Sequence, residues 1–290
     1  MTRPISNPSL HHERRELQLM LMLLAPALLV VFALLIVPLL WLVWQSIRQD
    51  GSFTLAHYAR FLTDSVYWMT FLQTFRIAFI VTLATILLGY PVAYVAAGLP
   101  QKWSVMILAL VLLPFWTSVL VRAYAWLILL QRTGIVNSAL QEAGITSGPL
   151  RLVNNEFGTV VATIHILLPF MVLPLYAAMK RIPQELTMAG ASLGGSPLHV
   201  FLRVFLPLSL PGMIAGMVLV FVLTLGFYIT PELLGGGRTY MVSMLVSRNV
   251  EVYNEWGAAS SISVVLMACV FLVFRLASLL IPFERIMGTR

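Results

Sequence analysis

Charge is what this 290-residue chain has least of. Only 10% of its residues are Asp, Glu, Lys or Arg, whereas 60% are hydrophobic. Soluble domains carry charge on about 25% of their residues, so composition excludes an ordinary soluble domain, and a mean hydropathy of +0.92 agrees. Cysteine is nearly missing as well. The single Cys269 excludes an internal disulfide and a cysteine-based metal cluster, and reads as a small apolar residue of the last span. No Gly-x4-Gly-Lys-Ser/Thr phosphate loop occurs. The nearest stretch, Gly235-Gly236-Gly237-Arg238, lacks both the lysine and the spacing, so the chain is not expected to hydrolyse ATP. His-Glu-x-x-His and Gly-x-Ser-x-Gly are also missing, which leaves an enzyme reading without its chemical groups. The alternating ten-residue segments of a membrane barrel are not there either.

Long apolar runs are what the sequence has instead. A helix needs about 20 mostly apolar residues to cross the hydrocarbon core. Charge-free runs of that order occur at 17–47, 77–101, 103–121, 157–179, 204–231 and 256–274, and the third continues past Arg122 to Leu130. The pattern predicts an all-α membrane protein with six transmembrane helices at about 17–46, 70–97, 104–130, 158–179, 212–233 and 257–281. Polar tails are expected at 1–16 and 282–290. The first run follows Arg14-Arg15 but is too long for the apolar core of a signal peptide, so an uncleaved helix is expected.

Lys and Arg in alternating loops set the orientation. The N-terminal tail, the 98–103 turn, the 180–203 loop and the C-terminal tail hold nine, the opposite loops six. Both termini and the 180–203 loop are therefore expected on the cytoplasmic side. The net charge of +7 is this bias plus Arg76, Arg122 and Arg275 within spans, which gives no reason to expect nucleic acid as a partner. A short surface helix is expected between 48 and 69. Gly89-Tyr90-Pro91 marks a place where the second span bends or packs closely. Trp41, Trp44, Trp68, Trp103 and Trp256 fall near span ends, as interfacial tryptophans do. No internal repeat is visible.

The segment 182–216 differs from its surroundings, being long, partly charged and punctuated by Gly and Pro. Pro183 suits the first turn of a helix, and Glu185 lies near that positive end. Leu186, Ala189 and Leu193 follow at helical spacing. Gly194-Gly195 breaks the helix, Ser196 caps a second one, and Pro197 takes its first position. The second helix is expected to run through Arg203 to Pro207 and Pro211, where the chain turns back into the bilayer. Two short helices at a glycine corner make a knob, with far more local structure than a connector requires.

This loop, 182–207, resembles the Glu-Ala-Ala loop of binding-protein-dependent ABC transporter permeases. In that pattern a Gly follows the Glu by six residues, and Ile-x-Leu-Pro begins ten later. Here Gly194, Val204, Leu206 and Pro207 are in register and Ala189 matches the first alanine. Met188 stands where the family usually has Glu, and Gly190 where it has the second Ala. The stretches 114–126, 134–137 and 230–236 are similar to the spermidine/putrescine-type branch, and the likeness covers nearly the whole chain after residue 17. The resemblance implies the type I importer permease fold, with the loop as a coupling helix in a groove of an ATPase subunit. It implies two ATPase copies that bind ATP and magnesium, no cofactor in this chain, a second similar permease subunit, a periplasmic binding protein, surrounding membrane lipid and an inner-membrane location. The solute it implies is a polyamine or related amine. The alternatives are another small solute, such as an amino-acid derivative, opine, organophosphonate or anion, or an ion-driven transporter. The last would need mid-span carboxylates, which the sequence lacks.

Candidate pathway residues follow from the cost of polar groups in a span. Arg122, with Tyr124 and Trp126, lies deep in the third run, where an arginine favours an anionic or zwitterionic solute or serves structure. Glu232 beside Tyr228 lies near the mouth of the fifth, where a carboxylate and a ring suit an amine. His165 is expected to hydrogen-bond between helices. Arg76 and Arg275 lie closer to span ends and are expected to snorkel.

Overall fold

The computed structural model describes residues 8–49 and 51–280. Helix α1 (Pro8–Ser46) leads to a small antiparallel hairpin, β1 (Arg48–Gln49) and β2 (Ser52–Phe53), with Arg48 opposite Phe53. Then come α2 (Ala56–Thr63), α3 (Ser65–Gly98), α4 (Gln101–Leu112), a 3-10 turn (Leu113–Trp116), α5 (Val119–Leu130) and α6 (Ile135–Glu142). The rest of the chain forms α7 (Glu156–Lys180), α8 (Gln184–Ser192), α9 (Pro197–Val200), a π turn (Phe201–Phe205), α10 (Leu206–Leu225), α11 (Ile229–Leu234), α12 (Val242–Glu251) and α13 (Trp256–Leu280). Six helical stretches are long and apolar enough to span a membrane.

Helix α7 is the axis of the bundle and packs against both α3 and α10. Ile77, Val81, Met171, Val172, Leu175 and Val220 are buried where the three meet. Among lipid tails there is no water to expel, so close approach of backbones has to supply the attraction. Small residues permit it. A Cβ on Gly89 would lie 3.0 Å from Met171 Cγ, and one on Gly216 would lie 2.8 Å from Met171 Sδ. Three buried threonines of these helices add no unpaired polarity: Thr82, Thr163 and Thr224 each donate to the carbonyl four residues earlier at 2.7 Å. A second cluster, with Tyr67, Phe71, Val242, Leu245 and Ile262, joins α3, α12 and α13. A third, with Ala123, Leu130, Ala162 and Leu234, joins α5, α7 and α11. Helix α1 stands at the side on α13, and Leu19–Ser46 leaves its apolar side chains almost wholly exposed.

Four expectations need correcting. Helix α1 begins at Pro8, so the second half of the expected 1–16 tail is helical; 1–7 and the tail 282–290 lie outside the described residues. The stretch 104–130 is not one helix. Pro114 has no N–H to donate and its ring crowds the carbonyl four residues back, so the chain tightens into the 3-10 turn and leaves it extended at Thr117. Ser118 then caps α5 by accepting from Leu120 N at 3.3 Å. The stretch 212–233 breaks at 226–228 for the same reason. Pro231 cannot donate to the Phe227 carbonyl, which accepts from Ser243 Oγ at 2.7 Å instead. The chain also does not turn at Pro207 or Pro211. Helix runs without interruption from Pro197 to Leu225, because the π turn, with Leu206 N–H bonded to the Phe201 carbonyl, widens the backbone before Pro207.

Candidate functional site

The knob forms through glycine chemistry that the sequence announces. Helix α8 closes with Gly195 N–H on the Gly190 carbonyl (3.2 Å) and Gly194 N–H on the Ala191 carbonyl (3.0 Å), and Gly194 takes a φ of +82°. This is the left-handed helix stop in which a side chain would be strained. Pro183 sits just outside α8, as its N-cap, and not within the first turn; Glu185 is in that turn. Ser196 Oγ accepts from His199 N at 3.3 Å and Pro197 opens the next helix, as the sequence predicts. Gly190 lies under Val200, whose Cγ2 would be 3.3 Å from an added Cβ. The departure from alanine at that position therefore matches the bulk of Val200. Val204 is half-buried on the π turn, followed by Leu206 and Pro207 at the start of α10. The π turn is held to α3 by rings: Tyr94 stands edge-on to Phe201 and Phe205 at centroid distances of 5.6 and 5.0 Å. Tyr90 and Ser209 hydroxyls meet at 2.9 Å.

The outward side of the knob is apolar and uncovered. Leu193 is 89% exposed and Met188 62%, with Leu186, Ala189 and Leu198 exposed beside them.

The candidate pathway residues separate into two groups. Arg122 and Trp126 lie one turn apart on the face of α5 turned to its neighbours, and Arg122 is only 8% exposed. Its guanidinium lies 5.9 Å from the Phe115 ring centroid, and its Nε and Nη1 have no hydrogen-bond partner among the described residues. Trp126 Nε1–H donates to His165 Nδ1 at 3.2 Å, the interhelical bond expected of that histidine. Tyr124, on the opposite face, is exposed. Tyr228 and Glu232 stand one turn apart at the start of α11, both exposed, and Glu232 makes no ion pair among the described residues.

Two ion pairs have no signature in the sequence, because their members are far apart along the chain. Arg76 does not snorkel: it donates to both carboxylate oxygens of Glu156 at 2.8 and 2.9 Å, across from α3 to the first turn of α7. Arg60 of α2 pairs with Glu255, just before α13, and its hydrogen bond holds the Glu255 carboxyl below the usual carboxylate range. The fold gains from this pair once pH is above the unfolded carboxylate value, and the gain is lost as pH falls through the lower folded value. Both side chains are over a third exposed, so about 1 kcal/mol is an upper bound. Glu255→Gln is expected to lower thermal stability slightly at neutral pH and to melt with the parent once pH has fallen below the range in which the folded carboxyl titrates. A difference that persists in acid would refute the charge pairing.

The chain is 35% identical over 242 residues to the spermidine/putrescine transport system permease protein PotB of Escherichia coli, covering 81% of this chain and 88% of that one. The Haemophilus influenzae protein of the same name is 33% identical over 260 residues, 87% and 91% of the two chains. This chain belongs to the ABC importer permeases, in the PotB branch. The inner membrane ABC transporter permease protein YdcU of Escherichia coli is 31% identical over 84% of this permease and 88% of its own length. No family model matches the sequence. Two solved structures share the fold. A bacterial ABC transporter involved in import of the acidic polysaccharide alginate aligns with a TM-score of 0.65 at 16% identity, over 93% of this permease and 98% of that chain. The bacterial alginate transporter in complex with its pentasaccharide-bound periplasmic protein aligns with a TM-score of 0.73 at 15% identity, over 95% and 96%. The permease is accordingly a multi-pass inner-membrane transport subunit, with the six-span importer fold that its sequence resembles.

Proposed function

We propose that the permease, paired with a second and similar permease, forms the pathway for a polyamine or related amine delivered by a periplasmic binding protein. Its 182–207 knob seats in a groove of an ATPase subunit, of which the assembly holds two. Those subunits bind ATP and magnesium. Both termini and the knob face the cytoplasm, in keeping with the excess of Lys and Arg on that side. Nucleotide-driven closure of the ATPases moves the knob, and the unbroken helix from Pro197 to Leu225 carries that motion into the bundle.

The observation that carries this reading is the uncovered apolar corner of Met188, Leu193 and Leu198 on a rigid glycine stop. The relatives named for spermidine and putrescine support the solute class. Glu232 and Tyr228, exposed together, present a carboxylate and a ring to an amine. Arg122, enclosed within the chain's own bundle, is read as a structural cation facing Phe115 and not as a solute ligand. The test is uptake of radiolabelled spermidine and putrescine by cells carrying the whole transporter. Glu232→Gln is expected to raise KM about tenfold, the loss of roughly 1.4 kcal/mol of ground-state attraction, with maximal rate little changed. Energised uptake of neither amine would refute the solute class while leaving the importer assembly intact.

A further inference from the structure

We propose that the end of the bundle opposite the knob carries a preformed three-arginine socket for a carboxylate-bearing surface of the periplasmic binding protein. The proposal rests on the importer reading above. A cavity of about 660 Å³ opens there between the last turn of α5, the segment leading into α7 and the glycine corner after α11. Arg132, Arg151 and Arg238 line it, no acidic residue does, and none of the three is ion-paired among the described residues. Glu156 and Glu255, by contrast, already hold Arg76 and Arg60.

The backbone under these arginines is locked. Asn137, fully buried, donates to the carbonyls of Gln131 (2.9 Å) and Leu150 (3.1 Å) and accepts from Leu150 N (2.8 Å). Asn155 N–H bonds the Leu234 carbonyl at 3.1 Å, and Gln73 Nε2 bonds the Arg238 carbonyl at 3.2 Å. Asn154 and Gly236, both at positive φ, pack against each other. Three cations that line one hollow repel one another, and an arriving anion relieves that repulsion. Guanidinium forks match carboxylates in shape as well as charge. The cavity lies over the junction of α5, α7 and α11 at their ends, a position that faces a docking protein, whereas lipid meets the flanks of a bundle. It would repel an amine, so it is no subsite for the proposed solute.

The test uses the whole transporter in nanodiscs of neutral lipid, titrated with its labelled, solute-loaded binding protein at several ionic strengths. The triple variant Arg132→Gln, Arg151→Gln, Arg238→Gln is expected to slow association about tenfold at low salt, to flatten the salt dependence and to leave basal ATP hydrolysis unchanged. The three single variants, each slowing association by a smaller factor, carry the same test if the triple fails to assemble. Unchanged association and salt dependence would overturn the socket. So would a wild-type advantage that appears only when anionic lipid is added, since a headgroup is then the occupant. A wild-type transporter that captures no binding protein would overturn the partnership itself, and the socket with it.

Discussion

Leu193→Asp is expected to uncouple the transporter. The side chain is 89% exposed at the tip of the knob, so the isolated fold has no reason to notice the change, and insertion and thermal stability should match the parent. Seated against an ATPase, the same carboxylate would lose water without gaining a partner, at a cost of several kcal/mol. Even about 3 kcal/mol corresponds to a hundredfold weaker contact. Co-purified ATPase and solute-stimulated ATP hydrolysis should both collapse, and uptake with them. Leu193→Ala removes contact without adding charge and should cost far less. Gly194→Trp should uncouple by a different route, because the φ of +82° that turns the corner is unfavourable for any side chain. Full coupling in Leu193→Asp would show that the apolar corner is not the docking surface.

Gly212→Ala should be the most damaging small substitution in the bundle. Gly212 and Gly216 lie one turn apart on α10, facing α7, a small-xxx-small pair that brings the two backbones together. A Cβ at Gly212 would lie 2.6 Å from the Pro174 carbonyl oxygen and overlap the Ala178 side chain. Neither can step aside: Pro174 and Ala178 belong to the central helix. At Gly216 the nearest atom is Met171 Sδ, well out along a flexible side chain, with backbone only at 3.2 Å and beyond. Overpacking costs about 1–3 kcal/mol in well-packed cores, so Gly212→Ala is expected near the top of that range and Gly216→Ala near the bottom. Thermal unfolding of the detergent-solubilised protein reads the order directly. Equal melting temperatures, or the reverse order, would mean that α10 and α7 can slide apart without loss.

Much of this protein is legible without coordinates, and the reason differs from element to element. The six spans are visible because hydrocarbon admits long apolar helices and little else. The knob is visible because Gly194, Ser196 and Pro197 act within a few residues of themselves: a helix stop, a cap and a first-turn proline need no distant neighbour. His165 could be read as an interhelical hydrogen-bonder because a lone imidazole in a span has few other uses, although Trp126 as its partner was not legible. In the sequence, the breaks at 113–118 and 226–228 look like continuous helix. Apolar composition there outweighed Pro114 and Pro231, and membrane helices tolerate proline only when something else takes up the freed carbonyl. At Phe227 that something is Ser243, sixteen residues away.

Length, hydrophobicity and local stereochemistry thus determined that this chain is a six-span helical membrane protein with a structured loop built on a glycine corner. Tertiary structure alone decided which charges are spent and which are free. Arg76 and Arg60 are neutralised by Glu156 and Glu255 from remote parts of the chain, while Arg132, Arg151 and Arg238 converge from three separate segments on a hollow without an acid. It also decided that Arg122 faces its own bundle while Tyr124, two residues on, faces out. Helical periodicity puts those two side chains on different faces, but which face meets a neighbour depends on packing. Electrostatic pairing depends on distance through space, and along a chain folded into a bundle that distance bears no fixed relation to separation in sequence.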